Sequence, residues 1–224
     1  MKLNKILLTI FCLASTHAFA QNNNLATNNK VAMNNKIVAE HKLVEKDFTN
    51  EQIAQLNLLL SNNNYTEFYD YIKKTEVTSN KYISYLESKK FEGHIPLYWL
   101  MADYYSKQRG KEEDTHFWYD VAIIMTYQDS HLCYDTTVKY AADKLSKSFP
   151  TPANVIRNSP QYNHIVMPKV AFFINNIKQR ISPKWVCIFG DEPVRANNYV
   201  LRPNNEWTKI RQDIFYKFTK DYPQ

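Results

Sequence analysis

Glycine is scarce in this sequence, with three residues among 224. Phosphate-cradling loops, dinucleotide-binding turns and nucleophile elbows all need closely spaced glycines, because side chains would block their backbone conformations or their close approach to a ligand. Tight hairpins favour an Asn-Gly or Asp-Gly pair, and the sequence contains neither. The scarcity argues against nucleotide-binding and α/β-hydrolase sites and favours a mainly helical fold.

Apolar runs long enough to cross a membrane are also missing. The apolar run 6–14 is shorter than the roughly 20 residues that a spanning helix needs. Lys2 and Lys5 precede it and Ala18-Phe19-Ala20 follows it, which is the pattern of a cleavable export signal. We therefore predict that residues 1–20 are a bacterial signal peptide, and that the mature chain is periplasmic or secreted and has no transmembrane segment.

Cysteine is equally rare, and two cysteines remain after the predicted cleavage, Cys133 and Cys187. An even number of cysteines in an oxidising compartment is most simply explained by one disulfide. The bridge would attach the C-terminal segment to the middle of the chain. It would also remove both thiols as nucleophiles, which argues against a cysteine hydrolase.

The sequence has no strong excess of charge. The formal net charge is +6, and loss of Lys2 and Lys5 with the signal peptide leaves +4. Basic residues are interspersed with acids, as in 107–114, and do not form the stripe typical of nucleic-acid-binding proteins. We therefore expect no nucleic-acid partner, and the absence of any cofactor-binding motif leads us to expect no cofactor.

Two regions follow the predicted signal peptide. Residues 21–47 are rich in Asn and poor in large apolar residues, a composition that predicts a flexible leader. Residues 48–224 are predicted to form a single helical domain. Its start is marked by Thr49 and Gln52, which have the spacing of a helix capping box.

Apolar residues then recur at intervals of three or four, the spacing of amphipathic helices. Pro96 suits the first turn of one helix, and Gly110 ends it. We predict further helices over 112–127, 130–149 and 170–181 and after Asn204 or Asn205, and an extended segment over 185–190. The predicted fold class is mainly α, either an irregular helical bundle or a short α-solenoid of antiparallel helix pairs with one disulfide.

Aromatic and small residues between 97 and 123 follow the pattern of a known helical repeat. Leu100 and Tyr104 would lie on the first helix of a pair, and Trp118-Tyr119 and Ala122 on the second. The segment thereby resembles one unit of the Sel-one-like branch of the tetratricopeptide superfamily, although its loop keeps a single glycine. The resemblance implies a stacked-helix scaffold that binds protein or peptide on a concave face.

Four potential metal ligands alternate along one segment: Asp129, His131, Cys133 and Asp135. Alternate residues point apart on a helix, and the predicted disulfide occupies the thiol. We therefore predict no metal site here. Asp129 or Ser130 is interpreted as the cap of the following helix.

A second polar cluster combines Glu112-Glu113-Asp114 with His116. It lacks the spacing that places two histidines on one helix face, and acids in a first turn interact favourably with the helix dipole. We interpret these acids as helix-start residues. His94 and His164 lie beside turn residues without an evident partner.

The abundance of aromatic residues is the remaining functional clue, because these side chains dominate binding hot spots. The candidates for an exposed binding surface are six tyrosines: Tyr65, Tyr69, Tyr71, Tyr98, Tyr105 and Tyr119. We expect an exported, non-enzymatic protein that binds another protein, for example an immunity-type neutraliser of an envelope-acting toxin. Two alternatives remain: a hydrolase of cell-wall material that uses carboxylates such as Glu112 or Glu113, and a structural accessory protein of the envelope.

Overall fold

Helices make up the regular structure of the chain in the computed structural model, which describes residues 48–74, 79–177, 179–190 and 200–222. Within these ranges there are ten α-helices, two 3₁₀ helices and no β-strand. In chain order the α-helices are α1 (Asn50–Ser61), α2 (Tyr65–Lys74), α3 (Ser79–Ser88), α4 (Ile95–Ser106), α5 (Glu112–Ser130), α6 (Ala141–Ser148), α7 (Pro150–Asn158), α8 (Asn163–Asn176), α9 (Lys184–Cys187) and α10 (Asn204–Thr219). The predicted mainly α fold is confirmed. The predicted signal peptide and leader lie outside the described residues.

The helices α4 and α5 form the central pair of the fold. Pro96 lies in the first turn of α4, where its missing N–H leaves no hydrogen bond unmade. Gly110 has a φ of +75° in the loop that turns the chain back into α5. Three acids, Glu112 to Asp114, occupy the first turn of α5 and interact favourably with its dipole. The local signals in the sequence therefore account for this helix pair.

Aromatic rings fill the core around this pair. Tyr98 and Trp118 stack with ring centroids 5.6 Å apart. Phe173 of α8 packs edge-on against both of them, at 5.8 Å and 5.4 Å. On another face of α4, Trp99 stacks on Phe149 at 5.7 Å. Much of the aromatic content noted in the sequence is therefore used to bury surface inside the bundle.

The helix α5 is surrounded by its neighbours. It packs against α4, α6, α7, α8, α9 and α10, while α1 packs on α2 and α3 on α4.

Thr49 caps α1 as predicted: its Oγ1 accepts a hydrogen bond from the Gln52 N–H at 3.2 Å, and its own N–H donates to Gln52 Oε1 at 2.8 Å. Across the described ranges, no helix is both long and apolar enough to span a membrane.

Three predicted segments differ from the structure around the disulfide. The helix predicted over 130–149 is instead the end of α5, a turn, a 3₁₀ helix over Thr136–Tyr140 and then α6. The cap predicted at Asp129 or Ser130 is wrong, because both residues belong to α5. The residue that caps the 3₁₀ helix is Asp135, whose carboxylate accepts from the Thr137 N–H at 2.8 Å. The extended segment predicted over 185–190 begins inside the short helix α9.

Two helix boundaries in the C-terminal part also differ. The helix predicted over 170–181 begins earlier, at Asn163, and ends at Asn176, because α8 accommodates Pro168 in its interior. The final helix starts at Asn204, but neither predicted asparagine caps it. Its N-cap is Pro203, which makes no side-chain capping bond.

Candidate functional site

The predicted disulfide is present between Cys133 and Cys187, with their Cα atoms 5.8 Å apart. It joins the turn after α5 to α9 and is surrounded by a small apolar cluster that includes Val138 and Val186. An isolated antiparallel bridge pairs Cys133 with Leu201. The disulfide and this bridge together connect three chain segments just after the end of α5.

Two of the predicted binding tyrosines are engaged inside the fold. Tyr98 has no exposed surface, and its hydroxyl donates to the Lys90 carbonyl at 2.7 Å. Tyr98 is therefore a core residue and cannot form part of a surface open to a partner. Tyr65 is half-buried, and its hydroxyl lies 2.9 Å from Nδ1 of His94. Burial raises the pKa of the Tyr65 hydroxyl, which makes this oxygen a poor nucleophile.

The other four tyrosines are dispersed over several helices. Tyr105 and Tyr119 are half-buried, and their hydroxyls bond to Glu87 Oε1 at 2.5 Å and to Ser146 Oγ at 2.6 Å. Tyr69 and Tyr71 lie on α2, where Tyr71 is half-buried. Among the five tyrosines whose side chains are described, Tyr98 is in the core and the other four are half-buried, so these five do not form one exposed patch.

Neither of the two polar clusters noted in the sequence forms a site in which its members converge. Among the alternating residues, Asp129 is buried, His131 lines a surface cleft, and Cys133 is oxidised. Within the first turn of α5, Glu113 pairs with Lys169 at 2.5 Å, and Asp114 pairs with Lys111 at 3.0 Å. No group of three or more potential metal ligands converges among the described residues.

The histidines have partners that the sequence did not reveal. His94 Nε2 lies 3.7 Å from the Glu92 carboxylate, and the His164 ring lies 5.5 Å from the Tyr222 ring. His116 is buried, with Nε2 3.0 Å from Ser159 Oγ and with no hydrogen-bond partner at Nδ1. Burial lowers the pKa of His116, so this imidazole is held in its neutral form.

A buried ion cluster lies at the C-terminal end of α5, centred on Asp129, which has no exposed surface. Its Oδ1 accepts from Arg211 Nη2 at 2.9 Å and lies 3.8 Å from Arg180 Nη1, while Oδ2 accepts from Trp185 Nε1 at 3.2 Å. Gln128 adds two bonds, accepting from Arg180 Nη2 at 2.7 Å and donating to the Arg211 carbonyl at 2.8 Å. We call these five residues the Asp129 cluster.

The Asp129 cluster contains two guanidinium groups and one carboxylate. Arg180 Nη1 and Arg211 Nε are buried without a hydrogen-bond partner, and burial lowers the pKa of Arg180 to about 10. The backbone beside Arg180 packs closely on Gly93: a Cβ at Gly93 would lie 2.3 Å from the Gln179 carbonyl oxygen. The cluster therefore joins α5, α9, α10 and the loop after α8. It does so by burying charged groups, and their desolvation opposes folding.

A shallow cleft opens beside this cluster, with a volume of about 440 Å³. Its lining residues are His131, Arg202, Asn205, Glu206, Lys209, Ile210 and Asp213. The His131 Nδ1–H donates to the Tyr127 carbonyl at 2.8 Å, which fixes the orientation of the ring. The two carboxylates of the cleft are separated by seven residues, or about 10 Å along α10, so they cannot act as a close carboxylate pair.

The outer face of α8 exposes two large apolar side chains, and we define it as Ile165, Pro168 and Phe172. Lys169 lies between them on the same side and pairs with Glu113. Ile165 is 51% exposed and Phe172 is 73% exposed, and the spacing of the three residues places them along one side of the helix. Phe91 is 56% exposed and packs on α8 through the buried Phe173, with ring centroids 5.4 Å apart. The helix predicted over 170–181 begins after Ile165 and Pro168, so the prediction did not include this face.

Asp120, in the middle of α5, gives a pH-dependent prediction, because burial raises the pKa of its carboxyl to about 7. Between about pH 4 and pH 7 the unfolded chain loses this proton while the folded protein keeps it, so stability falls as pH rises. Asp120→Asn removes the titration. Relative to the unmodified protein, it should have similar stability at pH 4 and gain about 2 kcal/mol at pH 8, a value reduced for the partial exposure of the side chain.

Urea denaturation of both proteins at several pH values measures this difference. All other titrating groups are common to the two proteins, so the change with pH isolates position 120. A difference in unfolding free energy that stays constant from pH 4 to pH 8 would contradict the prediction.

Comparison with known proteins gives no relative for this arrangement. No protein-family model matches the chain, and neither a curated protein nor a solved structure matches it. The class that the fold defines is a disulfide-bonded helical bundle, and its function is argued from its surfaces.

Proposed function

We propose that this protein is exported to an oxidising compartment of the bacterial envelope and binds another protein there through the outer face of α8. The observation that supports the proposal best is the exposure of Ile165 and Phe172 on one side of that helix. The disulfide supports the compartment, because such bonds persist where thiols are not kept reduced.

The helix α8 is apolar on two sides. Its inner side buries Val166, Val170 and Phe173 against the bundle, which is sufficient to attach it to the core. The outer face serves no packing purpose among the described residues and leaves a large aromatic ring in water. Exposed contiguous apolar surface of this kind marks interaction sites, and a helix face with anchors at such spacing suits a groove on a partner.

This location changes the surface expected from the sequence. Tyr98 lies in the core, and Tyr65, Tyr105 and Tyr119 direct their hydroxyls to groups within the fold. Phe172 is a better hot-spot candidate, since an aromatic side chain that becomes buried only on binding contributes its full area to affinity.

An immunity-type role is the specific form that we propose. A neutraliser of an envelope-acting toxin needs a stable surface and a stoichiometric complex, and it needs no turnover. The disulfide and the Asp129 cluster fix the helices that surround α5, which limits the entropy lost on binding. The repeat-like pair α4 and α5 would then act as the scaffold behind the binding helix.

The test is capture of partners from envelope extract by the full mature chain and by Phe172→Glu. We expect the unmodified protein to recover one partner in a stoichiometric complex. Phe172→Glu should weaken that complex by at least about tenfold, because it places a charge at the centre of the apolar contact.

Asn154→Glu is the matched control, because Asn154 is exposed on a different helix, α7. It should bind as the unmodified protein does, and both variants should melt at the unmodified temperature. Equal capture by Phe172→Glu and the unmodified protein, or repeated failure to recover any specific partner, would count against the proposal.

A further inference from the structure

A second surface, on α10 and the segment that leads into it, has an ordered pattern of charge. Arg202, Glu206, Lys209 and Asp213 all line the cleft, and their signs alternate along it. The intervals of three and four residues place Glu206, Lys209 and Asp213 along one side of α10. Arg202 lies two residues before this helix and lines the same cleft. We call these four residues the charge stripe.

No ion pair among the described residues neutralises the charge stripe. Glu206, Lys209 and Asp213 are exposed, and none of the described ion pairs includes them, although neighbours on a helix at these intervals can pair. The Arg202 side chain is fixed in position, because its Nε donates to the His131 carbonyl at 3.0 Å and its guanidinium lies over the Tyr134 ring. The stripe is therefore positioned and open to a partner.

We propose that the charge stripe binds the same stripe of a second copy of this chain in an antiparallel arrangement. In an antiparallel pair the order of charges in the second copy is reversed, so each charge of one stripe faces a charge of opposite sign. Arg202 would face the second copy's Asp213, and Glu206 would face its Lys209, with both pairs repeated by the two-fold axis. A parallel arrangement would place like charges opposite each other, so the pattern specifies both the partner and its direction.

The association is expected to be weak and dependent on salt. Exposed ion pairs contribute little individually and are screened by added salt, and Ile210 is the single apolar residue of the cleft lining. We expect dimers that form in the micromolar range or above at low ionic strength. The proposal does not depend on the outer face of α8, which is a separate surface.

Charge reversal with sedimentation analysis tests the proposal. Glu206→Lys and Lys209→Glu each place like charges opposite each other, so each variant alone should dimerise at least about tenfold more weakly than the unmodified protein. An equimolar mixture of the two should recover association, because every facing pair is then of opposite sign. The double swap Glu206→Lys with Lys209→Glu should also restore the dimer.

Lys147→Glu is the matched control, since Lys147 is exposed on α6 outside the cleft, and it should dimerise normally. Circular dichroism should show that every variant remains folded. A protein that stays monomeric at low salt and high concentration overturns the proposal and assigns the stripe to a different partner. A dimer that survives the single reversals overturns it as well.

Discussion

Asp129→Asn is expected to lower the free energy of unfolding by about 3–5 kcal/mol, the cost of leaving buried charges without their partner. Arg211 and Arg180 both face this carboxylate, which is fully buried. An asparagine has nearly the same shape but carries no charge, so two guanidinium groups would remain inside the fold without compensation. Urea denaturation followed by far-UV circular dichroism measures the change.

Asp103→Asn is the matched control for this substitution. Asp103 pairs with Lys107 at 2.6 Å on the surface of α4, and such an exposed pair contributes at most about 1 kcal/mol. Equal losses at positions 103 and 129 would contradict the assignment of the Asp129 cluster. Adding Arg211→Met to Asp129→Asn should recover part of the lost stability, because it removes one of the uncompensated charges.

The sequence predicted best the features that depend on neighbouring residues. The capping box of Thr49 and Gln52 forms as expected, and Pro96 and Gly110 mark the ends of α4 and its loop. Each of these signals acts within one turn of helix, so a short window of sequence contains all the information. The disulfide was also predictable, since the predicted signal peptide left only two cysteines to pair.

The Asp129 cluster could not be predicted in the same way. Its hydrogen bonds connect residues separated by 52 and 82 positions, from Gln128 to Arg180 and from Asp129 to Arg211. No local pattern distinguishes an aspartate that pairs with distant arginines from one that caps a helix. Asp129 was therefore predicted to cap a helix, which is the commoner role of such a residue at the end of an apolar run.

The exposure of Tyr98 was predicted wrongly for a related reason. Helical periodicity shows which residues share a side, but not which side faces the core. In α8 both sides are apolar, so Phe173 and Phe172 are equivalent in the sequence although one is buried and the other exposed. For the tyrosines of α4 and α5, the sequence did not show whether each ring faces the core or the solvent. Tyr98 faces the core, where it packs against Trp118 and Phe173.

Removal of the disulfide by Cys133→Ser with Cys187→Ser is expected to lower the free energy of unfolding by about 4 kcal/mol in the chain-entropy model. The two cysteines are 54 residues apart in the sequence, so the bridge prevents the unfolded chain from sampling many conformations. The segment after α8 should be affected first, because α9 is attached to the turn after α5 through this bond.

Reduction of the unmodified protein provides the matched control, because it breaks the same bond without changing any side-chain volume. A reductant should lower the stability of the unmodified protein to that of the double serine variant, and it should leave the variant itself unchanged. If the reductant had no effect on either protein, the bond would not stabilise the fold. In that case the attachment of α9 and α10 would depend on the Asp129 cluster and on helix packing. Asp129→Asn in the reduced protein should then loosen this end of the chain, seen as faster amide exchange in α10 than in α4.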